Sequence, residues 1–235
     1  MAIAQGLSIY VNGFNLGCAF KEFSPTAEVE VLDSTTLCRT SRTYAQGFKM
    51  GNATASGIWD YDQTNADEIH NILTSAFENG TENIITSSLA TLAVGGDAIM
   101  MNAIETSWAI NPELGQLIMC NADFQANNGV YFGKWIFSNS VASTTTNGAG
   151  QDNAASSANG GFVQVHYQAS TASAGTMILQ HSTDNSSWAD LATISLSGTT
   201  DSDSAFVSGT VNRYVRARCT ATGGTATFQV AFVRR

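Results

Sequence analysis

The sequence predicts a mainly β protein carrying one flanking helix, and three observations lead there. Apolar residues alternate with polar ones at period two in stretches such as Glu28-Val29-Glu30-Val31, the pattern of a strand with one wet face. Turn-forming pairs, among them Asn12-Gly13, Asp184-Asn185, Ser197-Gly198 and Gly223-Gly224, punctuate the chain. Only one stretch has a helical period with a cap at each end: Ile69, Ile72, Leu73, Ala76 and Phe77 make an apolar stripe. Asn65 with Glu68 reads as a capping box, Asp67 suits the positive end of the helix dipole, and Gly80 supplies a left-handed stop. The helix is expected over about 65–79, its stripe buried on a sheet.

Leu7 to Val11 is a short strand ending at the Asn12-Gly13 hairpin signal. Glu28 to Leu32 is a second strand, broken by Asp33-Ser34-Thr35-Thr36. Residues 34–50 have few apolar anchors and read as a long loop, a feature that is usually functional inside a compact domain. The loop carries Thr35, Thr36, Arg39, Arg42, Tyr44 and Lys49, a basic segment suited to contact with another copy of an acidic chain. Asn52 to Tyr61 is a strand that leads into the helix. Ile84 to Ile110 is strand-rich around a Gly95-Gly96-Asp97 turn, with Met100, Met101 and Trp108 expected in the core. Leu114–Gln125 and Val130–Phe137 read as a hairpin about Asn127-Asn128-Gly129.

Residues 138–161 are low in complexity, so the expected organisation is a domain over 1–140, a flexible linker over 141–160 and an antiparallel β-sandwich over 161–235. The sandwich strands are Phe162–Ala169, Thr176–Ser182, Trp188–Ser195, Ala205–Ser208, Arg213–Thr220 and Ala226–Val233.

Charge narrows the function. Only 12% of the 235 residues are charged, a polar but uncharged surface suited to packing against many neighbours. The net charge of −9 lies wholly before residue 151, where 14 acids face 5 bases. A domain so acidic, with no basic stripe, is unsuited to gripping nucleic acid through its phosphates, though it suits a wall along which nucleic acid slides. The cysteines Cys18, Cys38, Cys120 and Cys219 form no CxxC pair and are expected as free, buried thiols. The first residues lack the regions of a secretory signal, and no apolar run reaches the ~18 residues of a membrane span.

No catalytic, cofactor or metal site is expected. His70, His166 and His181 are scattered rather than spaced as zinc ligands. Asp60 with Asp62, and Asp201 with Asp203, share strand faces and could serve acid/base chemistry or calcium, but such pairs more often cap turns. Tyr214, Arg216 and Arg218 alternate onto one strand face, where arginine stems covering apolar surface and pairing with Asp201 or Asp203 explain them. Trp188 after Asp184-Asn185-Ser186-Ser187 reads as a core residue, or as a sugar-stacking platform.

Several runs together resemble the tail tube (major tail) proteins of long-tailed, non-contractile bacteriophages. They are Asp33-Ser34-Thr35-Thr36, Arg42-Thr43-Tyr44-Ala45-Gln46-Gly47-Phe48-Lys49, Gly51-Asn52-Ala53-Thr54-Ala55-Ser56-Gly57-Ile58-Trp59-Asp60 and the helix from Ala66. The second half is similar to the C-terminal part of a subset of them in Gln180-His181-Ser182-Thr183-Asp184, Trp188-Ala189-Asp190-Leu191-Ala192, Val211-Asn212-Arg213-Tyr214-Val215-Arg216-Ala217 and Phe232-Val233-Arg234-Arg235.

The resemblance implies a tail-tube-type β-sandwich/barrel with one flanking helix, plus a C-terminal sandwich on the tube exterior. It implies a non-enzymatic virion protein assembled in the host cytoplasm into stacked hexameric rings. Its partners would be itself, the tape measure, tail terminator and distal tail proteins, and double-stranded DNA that passes without specific binding. Residues 34–50 would reach the neighbouring ring. Four strands from each subunit, spaced about 4.8 Å and tilted about 40°, give a barrel with a backbone diameter of roughly 50 Å, open to DNA. The alternative is an oligomeric virion surface or baseplate protein whose C-terminal sandwich binds a cell-surface glycan. A hydrolase using Asp60 or Asp201 ranks third.

Overall fold

A computed structural model describes residues 6–59 and 69–235. In chain order come β1 (Leu7–Val11), β2 (Phe14–Asn15), β3 (Phe20–Asp33), β4 (Tyr44–Ile58), α1 (Ile69–Asn79), β5 (Asn83–Thr91) and β6 (Asp97–Asn111). They are followed by β7 (Met119–Ala142), β8 (Thr145–Asn147), β9 (Gln151–Asp152), β10 (Gly161–Ala169), β11 (Ala174–Ser182) and β12 (Ala189–Ser197). The last three are β13 (Thr200–Val207), β14 (Tyr214–Thr222) and β15 (Thr225–Arg234). The fold is mainly β, with antiparallel strand pairs and two sheets among the described residues. No helix among the described residues is long and apolar enough to cross a membrane.

The chain divides into two compact units that are discontinuous in sequence. The first comprises Met1–Cys18, Asn83–Met100 and Tyr131–Arg235; the second comprises Ala19–Glu82 and Met101–Val130. This differs from a boundary near residue 140. The physical reason is pairing: β15 returns to hydrogen-bond the second half of β7, from Thr225↔Ala142 to Phe232↔Lys134. β1 and β5 pair with each other in the same unit. The stretch 141–160 is likewise no free linker. β8 and β9 both pair with β14, Ser157 bridges Val211, and Arg213 donates to both carboxylate oxygens of Asp152.

In the first unit one sheet runs β13-β10-β15-β7-β6-β5-β1-β2 and the other β12-β11-β14-β8, with β9 also on β14. The core between them is built by alternation. Val215, Ala217, Cys219 and Ala221 of β14 are buried, while Arg216, Arg218 and Thr220 between them are partly exposed. Tyr167, Met177, Leu179, Phe228 and Val230 fill the same core. Turns close where their dipeptides expected them, with positive φ at Asn12 and Gly13 (51° and 91°) giving the type I′ geometry that joins β1 to β2.

β10 is buried on both faces, and its second face carries a polar network. Gly13 N–H donates to His166 Nδ1 (3.2 Å), which leaves Nε2 protonated and donating to Thr86 Oγ1 (2.8 Å). Thr86 in turn donates to Gln164 Oε1 (2.7 Å), and the Tyr10 ring stacks on the imidazole at 5.2 Å. The β1–β2 turn is thereby pinned to the middle of the sheet by one neutral histidine.

In the second unit β3 pairs β4 from Phe20↔Gly57 to Asp33↔Tyr44, and β4 pairs β7 from Asn52↔Gln125 to Ile58↔Met119. Ala53, Ala55, Ala122, Phe124 and Cys120 form a buried face. Helix α1 buries Ile69, Ile72, Leu73 and Ala76, whereas Phe77, expected in the stripe, is 47% exposed at its margin. Trp59 donates its indole N–H to His70 Nδ1 (3.3 Å), and the Trp108 ring lies 6.1 Å from His70. Gly80, at φ 57°, ends the helix as expected. The capping residues Asn65, Asp67 and Glu68, and the Asp60–Asp62 pair, lie outside the described residues.

Two expectations fail here for local reasons. Tyr44–Met50 belongs to β4 rather than to a loop, so the loop shrinks to residues 34–43. Asn127-Asn128-Gly129 closes no hairpin: Asn128 and Gly129 take positive φ (64° and 90°) inside β7, which continues through them. The real turn before β7 uses Pro112 and Gly115 (φ 82°).

Burial holds the His166 pKa down at about 3, from 6.5. The unfolded chain therefore takes up a proton below pH 6.5 that the folded chain refuses, so stability is full above that pH and falls as pH drops. The loss approaches about 1.4 kcal/mol per pH unit within the window. Urea unfolding of the wild type should lose about 2 kcal/mol more between pH 7 and pH 5 than His166→Gln does. Parallel pH profiles for the two proteins would contradict the assignment.

Candidate assembly surface

The β3–β4 pair extends beyond β7 as a two-stranded ribbon, since the β4–β7 ladder ends at Asn52↔Gln125 while β3 and β4 stay paired to Asp33↔Tyr44. Its tip is closed by side chains. Thr35 N–H donates to Asp33 Oδ1 (2.9 Å), Thr43 N–H to Thr35 Oγ1 (3.0 Å), Ser34 N–H to Thr43 O (2.9 Å) and Arg39 N–H to Thr36 O (3.0 Å). The hydrogen bonds from the Thr35 side chain and backbone lower the Asp33 pKa. A bulge sits midway: the register slips between Val29↔Lys49 and Val31↔Gln46, and Phe48 N–H donates to Glu30 Oε2 (3.3 Å). A Cβ at Gly47 would stand 2.6 Å from that oxygen and 2.9 Å from Glu30 Cβ, so a larger residue there would displace the Glu30 side chain.

The six residues singled out in the sequence all lie on this ribbon. Thr35 and Thr36 shape the tip, Tyr44 sits opposite Asp33 and Lys49 opposite Val29. Arg39 and Arg42 are exposed and take part in none of the ion pairs found among the described residues, which are Lys134–Asp97, Arg213–Asp152 and Arg218–Asp190.

Sequence reasoning missed the ribbon's apolar side chains. Leu37 at the tip is fully exposed, Phe48 is 81% and Val31 66% exposed, and Val29, Leu32, Tyr44 and Met50 are exposed too. Register sorts them onto two faces: Val29, Val31 and Tyr44 on one, Leu32, Phe48 and Met50 on the other. Leu37 and Phe48, apolar residues isolated in a polar stretch, were the available signal. A bare two-stranded ribbon is marginally stable in water, and apolar patches of this kind mark interaction sites.

The sheet that carries the ribbon has one polar face. Glu22, Ser24, Thr26 and Glu28 of β3 lie level with Ser56, Thr54, Asn52 and Met50 of β4, and Asn121, Asp123 and Gln125 of β7 complete the row. Lys21, at one end of the row, lies 3.8 Å from Met119 Sδ. By sequence the second unit holds 13 acids against 4 bases and the first 6 against 6, so the whole net charge belongs to the second unit. One acid leaves the account: Glu105 is buried without a hydrogen-bond partner among the described residues, and burial raises its pKa to about 8, so it is mainly protonated at neutral pH.

Elsewhere the polar side chains singled out in the sequence hydrogen-bond within the chain. Asp201 Oδ2 accepts from Ser197 N–H (2.8 Å) and Asp203 Oδ1 from Ser204 N–H (2.7 Å), so this pair caps backbone rather than meeting arginines. Arg216 instead donates to Gln180 Oε1 (2.9 Å), whose amide donates to Asp190 Oδ1 (2.6 Å), and Arg218 lies 3.8 Å from Asp190. The Arg216 guanidinium stacks over Trp188 at 4.2 Å, covering one face of the ring that a sugar would need. His181 Nδ1 accepts from Asn212 N–H (3.1 Å). A cleft of about 450 Å³ in the first unit has Phe132, Ile136 and Phe232 in its lining and the Lys134–Asp97 pair at 2.9 Å. Among the described residues no three His, Cys, Asp or Glu side chains converge as a metal site. All four cysteines are free; Cys120 and Cys219 are buried as expected, but Cys18 and Cys38 are exposed.

No protein-family profile matches the chain, and no curated protein does. Among solved structures it is similar to the SPP1 tail tube, at 11% identity and a TM-score of 0.47 over 56% of this chain and 78% of that one. It is similar to a chain in the virion of a native gene transfer agent particle, at 12% identity and a TM-score of 0.45 over 56% of this chain and 98% of that one. The SPP1 Dit protein, described as a hub adsorption apparatus in phages infecting Gram-positive hosts, matches over 98% of this chain and 100% of its own, at 11% identity and a TM-score of 0.41. The structural neighbours named here are thus phage tail and hub proteins and a gene transfer agent particle.

Proposed function

We propose that this chain is a structural virion protein that assembles into stacked hexameric rings, forming the tail tube through which a phage genome leaves. The observation that carries the reading is the second unit: an apolar ribbon that one chain leaves uncovered, continuous with a sheet face that is polar and acidic. Copies joined edge to edge would bury the free edge of β3 and close the sheet into a barrel, which removes exposed strand edges. The ribbon, through Thr35, Thr36, Arg39, Arg42, Tyr44 and Lys49 and its apolar side chains, contacts the next ring. The tape measure, terminator and distal tail proteins contact the ends of the stack.

On this reading the polar face lines the bore. Asn, Ser, Thr and Gln side chains present no apolar grip on DNA, and Glu22, Glu28 and Asp123 repel its phosphates, so double-stranded DNA passes without specific binding. The protein's place is the virion tail, after assembly in the host cytoplasm, and its role is non-catalytic.

Electron microscopy of the purified protein should show stacked rings or hollow tubes, reduced to single rings when residues 34–43 are replaced by a short turn. Monomers at high concentration for both proteins would overturn the reading. Replacing Glu22, Glu28 and Asp123 together by lysine should leave tubes intact but make phage carrying them eject DNA at least several-fold more slowly at low salt. Unchanged ejection would remove these residues from the bore.

A further inference from the structure

The second unit is apolar at both ends of its long sheet, not only at the ribbon tip. β3 spans 14 residues, so its ends lie about 45 Å apart. At the end away from the tip, the turn between β6 and β7 holds Leu114 fully exposed and Leu117 62% exposed. Gln116 N–H donates to Glu113 O (3.2 Å), and Gly115 takes φ 82°, which fixes the turn. Beside it lies a groove of about 320 Å³ lined by Lys21, Asn111, Glu113, Gln116, Leu117 and Met119.

Resting on the tube reading above, we infer that this groove is the acceptor for the ribbon tip of a second copy, in a head-to-tail contact. Three observations choose this occupant. The tip presents one fully exposed leucine, Leu37, and the groove offers Leu117, Met119 and the Lys21 stem as an apolar lining. The tip brings Arg39 and Arg42, neither in an ion pair among the described residues, while the groove brings Glu113, with Glu22 next to Lys21 in the chain; Lys21 is the one like charge. The two patches lie at opposite ends of one continuous β ladder, so a tip in one copy's groove leaves that copy's own tip free for the next. A contact between unlike patches is heterologous: it repeats from copy to copy and, where its rotation does not close a ring, builds an open stack.

The chain supplies its own probe, because Cys38 is exposed at the tip next to Leu37. In the full-length protein carrying Cys18→Ser and Leu117→Cys, mild oxidation during assembly should give a ladder of disulfide-linked species, abolished by Cys38→Ser. Glu113→Cys in place of Leu117→Cys gives a second position on the same groove. Reversing Glu113 to Arg should lower tube yield at least tenfold, and Arg39→Glu with Arg42→Glu should restore it. Tubes that form with no Cys38-dependent ladder from either position would overturn the acceptor groove while leaving the tube reading standing. Neither tubes nor ladder would overturn both.

Discussion

The constraint on which the rest depends is that β3 and β4 stay hydrogen-bonded to each other well past the last rung that β4 shares with β7. Within that extension the backbone groups that face the partner strand are hydrogen-bonded, while both outer edges are unpaired among the described residues and much of each face is open to water. Val29, Val31 and Tyr44 on one side, and Leu32, Phe48 and Met50 on the other, face water as a result. Fully burying an exposed side chain of this size contributes about 1.5–3 kcal/mol, so covering half of them on assembly contributes a few kcal/mol, on the scale of the lower end of ordinary domain stability. The Gly47 bulge clamped by Glu30 and the Asp33–Thr35 bonds at the tip keep the ribbon in one register while it is uncovered.

The two units divide the physical tasks. The first is electrically balanced and closes its core as a sandwich, stapled through His166 to the β1–β2 turn. The second carries all of the net charge and most of the exposed large apolar residues. Apolar residues that could be buried within one chain are therefore concentrated in the first unit, and those that require a partner in the second. On the proposed assembly, such a partition makes stability and assembly separate problems, solved by different strands.

Elements whose burial imposes a period were legible in the sequence. β1, the buried stripe of α1 and the strands β10, β11, β12, β14 and β15 fall within two residues of where alternation and turn pairs put them, whereas β13 starts at Thr200, five residues before the expected Ala205. The ribbon half of β4 was not legible, because with neither face buried nothing forces Tyr44 to Met50 to alternate, and the segment reads as loop. The pairing of β8 and β9 with β14 rests on backbone hydrogen bonds that a Ser, Thr, Asn and Gly composition does not advertise. Asn128-Gly129 was misread because the same positive-φ pair that makes a hairpin also makes an irregularity within one strand. Of the proposed surface, the charged positions stand out in the sequence, since Arg39, Arg42 and Lys49 are bases in an acidic half. The apolar side chains around them were overlooked because single exposed apolar residues carry no pattern until register sorts them onto faces.

The most direct test of the central claim is hydrogen exchange along the ribbon, compared between the dispersed and the assembled protein. If other copies cover the ribbon, amides from Ala27 to Asp33 and from Tyr44 to Met50 exchange quickly in the dispersed protein and slow by at least a hundredfold on assembly, while β10 and β15 change little. Equal exchange of the ribbon in both states would mean that assembly leaves it in water, and would contradict the account.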